Sequence, residues 1–230
     1  MSRVAPVRWA AEAIGTALLV GIGTGAIVVA ARAGGVPQPW IALAWFAAVA
    51  VPVFAFVRIS GAHLNPAVTL ALAASRRIDP REAPWYIGAQ VVGALAASGL
   101  VLALLGNAAD LGATVPAPGQ AALAMVGEAT FTALLIASVF WLADRGEGRG
   151  RHRLWGPPLV VGISTEVIGP LSGSSLNPAR SLAPAIWSGV YTDLFLYLLV
   201  VPLAALAVAA VWRPVSVDRL DRGPGRREPS

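Results

Sequence analysis

The chain has 230 residues, 57% of them hydrophobic and 13% charged, with a mean hydropathy of +0.69. That composition belongs to a protein embedded in a bilayer and excludes an ordinary soluble domain; the length accommodates about six spans of ~20 residues with their connections. There is no cysteine, so disulfides and thiolate metal sites are ruled out, and the two histidines, His63 and His152, stand far apart without ligand-like company, so neither metal nor cofactor is expected.

The formal net charge of +5 comes from 17 arginines against 12 acids, with no lysine. Arg3 and Arg8 precede the first apolar run. Arg76, Arg77 and Arg81 follow the second, Arg145, Arg149, Arg151 and Arg153 fill the middle connection, and Arg213, Arg219, Arg222, Arg226 and Arg227 close the chain. The stretch 107–120 has no arginine. By the positive-inside rule, both termini and the middle connection are expected on the cytoplasmic side of the cell membrane. The arginine runs read as topology and lipid-headgroup contacts, not as a nucleic-acid site. The first apolar run reads as a span, since no cleavage pattern follows it. Residues 1–214 form the membrane domain, and the polar stretch 215–230 is expected to be a disordered tail.

Apolar length predicts spans over about 8–31, 39–58, 83–105, 121–142, 154–169 and 192–212. The run Glu12-Ala13-Ile14-Gly15-Thr16-Ala17-Leu18-Leu19 echoes Glu128-Ala129-Thr130-Phe131-Thr132-Ala133-Leu134-Leu135, which divides the domain into repeats over about 8–106 and 121–213. Three spans per repeat is an odd number. The second repeat therefore enters the membrane from the opposite side, giving inverted topology.

Each repeat carries an Asn-Pro-Ala between its second and third spans: Asn65-Pro66-Ala67 and Asn177-Pro178-Ala179. Asn is a preferred N-cap and Pro suits the first helical position, so each triplet starts a helix. A helix start inside an apolar segment fits a broken helix lining a water-filled path. Pro66–Arg76 and Pro178–Ser188 are 11 residues each. That is ~16 Å of helix, about half of a ~30 Å hydrocarbon core. The predicted fold is an all-α membrane protein with six transmembrane helices and two re-entrant half-helices whose N-termini meet at the midplane. Small residues at Gly15, Gly88, Gly93, Gly127 and Gly162 suit close helix crossings.

At that midplane the Asn65 and Asn177 side-chain oxygens cap their helices, and the amide NH2 groups are left to face a pore as donors. Each helix N-terminus adds about half a positive charge, so cations are repelled and neutral solutes pass. The residues before each triplet are expected to be extended. The intramembrane carboxylates Glu12 and Glu128 are expected to accept from their free backbone N–H groups and buttress the loops. His63 reads as a packing and hydrogen-bonding element of the first loop. Glu166 has two readings. It reaches Arg180 and weakens cation repulsion, or it binds backbone of the second loop or another subunit.

The residues Ser60-Gly61-Ala62-His63-Leu64-Asn65-Pro66-Ala67-Val68-Thr69, Gly169-Pro170-Leu171-Ser172-Gly173 and Asn177-Pro178-Ala179-Arg180-Ser181, with Glu12 and Glu128, resemble the aquaporin and glycerol-facilitator family of membrane channels. The resemblance implies a homotetramer with one pore per subunit. It also implies a four-position selectivity filter, which counting places on Trp45, Thr165, Ser174 and Arg180. A one-turn slip in the fifth span would put Gly169 in the place of Thr165. Strict water channels resemble Phe, His, a small residue and Arg at these positions. This chain has Trp45, as glycerol channels do, and no His. It lacks their Phe at Ser174 and has Ser181 where they usually show Asp. The opening is expected to be wider than a water-only filter and to suit glycerol, urea or an undissociated metalloid acid. The alternatives are a water-selective channel and a proton-coupled secondary transporter using Glu166. A membrane enzyme would need a nucleophile–base pair or a metal cluster, and the chain offers neither.

Overall fold

The computed structural model describes residues 5–144 and 154–220. Their α-helices are α1 (Ala5–Arg32), α2 (Gln38–Ser60), α3 (Pro66–Ala74), α4 (Ala83–Leu105), α5 (Ala121–Ala143), α6 (Gly156–Ser172), α7 (Pro178–Ser188) and α8 (Leu194–Leu220). Five of the long helices, counting α8 only over Leu194–Trp212, are apolar enough to cross a membrane by length and composition. The sixth, α6, has 17 residues, the short end of what a span requires. It starts two residues later and ends three later than its apolar run suggested, because Gly173 supplies its cap with φ 77°. The arginine-rich connection 145–153 lies outside the described residues. So does 221–230, while α8 continues to residue 220, past the expected start of the tail.

The duplication is visible in what touches what. α1 packs on α2 and α4, and α5 packs on α6 and α8. The half-helices are exchanged: α3, from the first repeat, packs on α8 of the second, and α7 packs on α4. Exchanging α1–α4 with α5–α8 maps this pattern onto itself. The interface between α2 and α6 lies on the pseudo-two-fold axis.

Two half-helices can fit inside six spans only if the helices around them approach closely, and small residues allow that. A Cβ at Gly93 of α4 would collide with the backbone carbonyl of Ala13 on α1. Gly127 faces Ile168 and Gly162 faces Phe46 in the same manner, with hypothetical contacts at 3.0 and 3.1 Å. Gly15 receives the Leu64 side chain from the first loop. Gly88 departs from this set: nothing lies within 4 Å of where its Cβ would be, so it marks no crossing.

At the arginine-rich face, α3 ends earlier than expected. The helix closes at Ala74 with Ser75 as its cap, and Arg76 takes a left-handed φ of 56°. This turn releases Arg77 toward α5, where its Nε and Nη2 each donate to the Asp144 carboxylate at 2.9 Å. The Trp212 indole of α8 donates to the same carboxylate at 2.9 Å. The guanidinium also lies 3.9 Å from the Phe140 ring centroid. One charge pair thus fastens the end of a half-helix to both helices it packs between.

Candidate functional site

The loops that carry the Asn-Pro-Ala triplets run 60–65 and 172–177, between α2 and α3 and between α6 and α7. They are not extended, as the sequence led us to expect. Each turns left-handed after its helix, at Gly61 (φ 89°) and Ala62 (48°) and at Gly173 (77°) and Ser174 (48°), then again at Leu64 (55°) and Leu176 (54°). Non-glycine residues hold such angles only when their surroundings over-determine them. A buried carboxylate does so in each repeat. Glu12 accepts from the Ser60 hydroxyl (2.6 Å), the N–H of His63 (2.9 Å) and Leu64 (2.7 Å), and the Gln90 amide (2.7 Å). Glu128 accepts from the Ser172 hydroxyl (2.7 Å) and the N–H of Ser175 (2.8 Å) and Leu176 (2.9 Å). Tyrosines complete the support, Tyr86 donating to the Ser60 carbonyl at 2.9 Å and Tyr197 to the Ser172 carbonyl at 2.6 Å.

The two asparagines cap as their sequence context predicts. Asn65 Oδ1 accepts from the Ala67 N–H at 2.8 Å, and Asn177 Oδ1 accepts from Ala179 at 3.0 Å and Arg180 at 3.3 Å. Their NH2 groups are less free than expected. Asn65 Nδ2 donates to the Leu176 carbonyl at 2.7 Å, and Asn177 Nδ2 to the Leu64 carbonyl at 2.9 Å. These bonds cross the pseudo-two-fold axis and tie the loops together. An amide carries two N–H donors, so one remains on each asparagine.

His63 lies in the first loop, with Nδ1 3.2 Å from the Thr69 hydroxyl and its ring centroid 4.8 Å from that of Tyr86. Ser175 takes its place in the second loop and bonds the Ser181 hydroxyl, which also accepts from Thr114 at 2.8 Å. Both loops line a central cavity of about 70 Å³. Its opposite wall is aliphatic, with Val49, Val53, Val68, Leu135, Val139 and Val161. Among the described residues the carbonyls of Gly61, Ala62 and His63 accept no hydrogen bond.

One end of the cavity is bounded by Trp45 and Arg180. Arg180 is 1% exposed, and its guanidinium lies 4.5 Å from the Trp45 ring centroid. Its Nη1 donates to the Gly112 carbonyl at 2.7 Å and its Nη2 to the Gly173 carbonyl at 3.2 Å. Gly112 ends a left-handed turn at Ala109, Asp110 and Leu111, so the arginine-free loop folds back to hold this cation. No carboxylate bonds it among the described residues.

Thr165 and Ser174 are buried near this end but do not line the cavity itself. The Thr165 hydroxyl donates to the Val161 carbonyl at 2.9 Å, and Ser164 donates to the same carbonyl at 2.8 Å. Ser164 also shares a 2.8 Å hydrogen bond with the Ser174 hydroxyl, in which either oxygen can donate. Gln38, at the start of α2, donates to the Thr165 carbonyl at 2.7 Å and occupies the space beside Gly169.

Glu166 does not reach Arg180. It is exposed on the outer face of α6 beside Ile163 and Val167, and no described residue bonds it. The Glu166→Gln variant is therefore expected to keep solute and water flux within about twofold of wild type in proteoliposomes. A large loss of flux would give Glu166 a transport role.

Sequence reading missed Gln90, Ser164, Gln38 and the two tyrosines. The tyrosines were accessible by aligning the repeats, since Tyr86 and Tyr197 occupy matching places on α4 and α8. Gln90, Ser164 and Gln38 had no such signal.

Three comparisons place this geometry. A family model described as "Major intrinsic protein" matches residues 4–212. The chain is 37% identical over 204 residues to aquaporin NIP1-1 of Zea mays, covering 88% of this chain and 71% of that protein. It is 36% identical over 209 residues to nodulin-26 of Glycine max, covering 89% and 76%. Among solved structures, the X-ray structure of the aquaglyceroporin from Plasmodium falciparum superposes with a TM-score of 0.80 at 23% identity, covering 95% of this chain and all of that one. That likeness shows the fold.

Proposed function

Because the chain belongs to the major intrinsic protein family, and so is a multi-pass aquaporin-type channel for water and small solutes and not an enzyme, we propose that its pore passes small neutral solutes with several polar groups. Glycerol-type polyols, urea and undissociated metalloid acids are this class. The observation that carries the reading is the pairing of Trp45 with Arg180, with no histidine bonded to either among the described residues; His63 lines the same cavity from the first loop, where it meets Thr69. An indole wall accepts the C–H side of a polyol, and a guanidinium donates to its oxygens. Ser174 and Thr165, buried near this end, back the constriction without lining it.

Farther in, the same two-sided character continues. Unclaimed loop carbonyls and the remaining Asn65 and Asn177 N–H donors stand opposite an aliphatic wall. A solute that sheds its water there regains hydrogen bonds on one side only, which suits an amphipathic molecule. The cation at Arg180 and the two half-helix N-termini oppose passage of positive charge. The channel works as a homotetramer in the cell membrane, one pore per subunit, with the arginine-rich face toward the cytoplasm.

Stopped-flow light scattering on proteoliposomes tests this. Vesicles should re-swell in glycerol, urea or arsenite without a proton gradient. Ser174→Trp should cut that re-swelling by about tenfold while leaving most water flux, because a two-ring side chain at 174, larger than the Phe of glycerol channels, narrows the mouth. Fast water flux with no re-swelling in any solute would establish a water-selective pore instead.

A further inference from the structure

We infer that Gly23 of α1 is a positioning residue for the outer constriction: it holds open the recess that keeps the Trp45 ring out of the solute path. The inference rests on the reading of Trp45 as a wall of that constriction.

Trp45 is 3% exposed, and Arg180 stands over its ring. On the α1 side, a Cβ at position 23 would lie 2.6 Å from Cη2 and Cζ3 and 2.7 Å from Cε3 of the indole. Carbon atoms in favourable contact sit ~3.5–4.0 Å apart, so even one methyl group requires a shift of about 1 Å. Trp45 belongs to one buried cluster with Leu19, Val20, Ala48, Val49, Ala179 and Ala183, which leaves little other free space around the ring. The unfilled volume beside Trp45 is the cavity it shares with Arg180, Val49 and Val161. A ring displaced from α1 therefore moves into the pore.

The neighbouring glycines are different. A Cβ at Gly21 would meet Ala97 at 3.7 Å, and one at Gly25 would meet Val101 at 3.9 Å, both ordinary contacts with α4. Of these three small residues on one stretch of α1, Gly23 alone is committed to the indole. Its effect should be on size discrimination, because an aperture only slightly larger than water loses a three-carbon solute long before it loses water.

The test compares Gly23→Ala, Gly25→Ala, Trp45→Phe and the Gly23→Ala/Trp45→Phe pair in proteoliposomes, by water flux and by glycerol and urea re-swelling. Gly23→Ala is expected to lower the solute-to-water flux ratio at least ~tenfold. Gly25→Ala should leave the ratio unchanged. The smaller ring of the double variant should restore it toward that of Trp45→Phe, which a general packing defect would not do. An unchanged ratio in Gly23→Ala overturns the inference. So does a double variant that stays impaired or fails to fold, because position 23 would then matter for something other than the indole. If the wild type passes water alone, the solute reading fails separately. In that case narrowing still shows as a fall in the water flux of Gly23→Ala that Trp45→Phe reverses.

Discussion

Glu12→Leu is expected to yield a protein that no longer holds its pore. The substitution keeps volume and apolar packing but removes the acceptor of four hydrogen bonds, two of them from backbone N–H groups of the first loop. No water reaches the site to replace it, since Glu12 is fully buried. Each orphaned donor costs about 1–3 kcal/mol, so the total is roughly 4–12 kcal/mol, against a stability of about 5–15 kcal/mol for a typical domain. The left-handed angles at Ala62 and Leu64 lose their support in the same step. Glu12→Gln should lie between, because one carboxamide oxygen still accepts while its NH2 confronts donors. Glu128→Leu should be milder than Glu12→Leu, with three bonds at stake and no equivalent of Gln90. Thermal unfolding in detergent, followed by circular dichroism, measures the order. A Glu12→Leu protein that melts with the wild type and conducts would show that the carboxylate does not shape the loop.

Arg180→Ala is expected to make the channel leak cations. The guanidinium is held by two backbone carbonyls and an aromatic face, and among the described residues no carboxylate hydrogen-bonds it, so its charge acts on the pore. A unit charge at ~5 Å in an effective dielectric of ~20 opposes a passing cation by about 3 kcal/mol. Removing it should raise proton or cation passage by about a hundredfold. Neutral solute flux should hold or rise as the opening widens. A pH-sensitive dye inside proteoliposomes, under an imposed potential, reads the leak. Unchanged proton exclusion in Arg180→Ala would transfer the barrier to the half-helix dipoles behind Asn65 and Asn177.

The two variants act at different levels of the molecule, and that difference also marks how far sequence could be read. Helices were legible because hydrophobic length and the Asn-Pro start signals are local: α7 has the extent its motif predicts, from Pro178 to Ser188. The shorter α3 was not, because its end depends on Arg77 finding Asp144 at the end of α5, a carboxylate that Trp212 of α8 also bonds. The extended loops expected before each triplet became left-handed turns because Glu12 and Glu128 reward that shape with hydrogen bonds. The free amides expected on Asn65 and Asn177 were half taken because the opposite loop lies within reach.

Composition, the repeated glutamate and Asn-Pro-Ala segments, and the arginine distribution thus determined a duplicated helical membrane channel and named the residues at its centre. Those signals survive in one dimension, since bilayer thickness, helix capping and inverted repeats each leave a period or a spacing in the chain. Only the tertiary structure decided that Arg180 rests over Trp45, that Gly23 makes room for that indole, that Gln38 meets the Thr165 carbonyl, and that Glu166 faces away from the pore. Each of these relations joins residues from different helices, and their meeting depends on crossing distances and side-chain directions that no local pattern encodes.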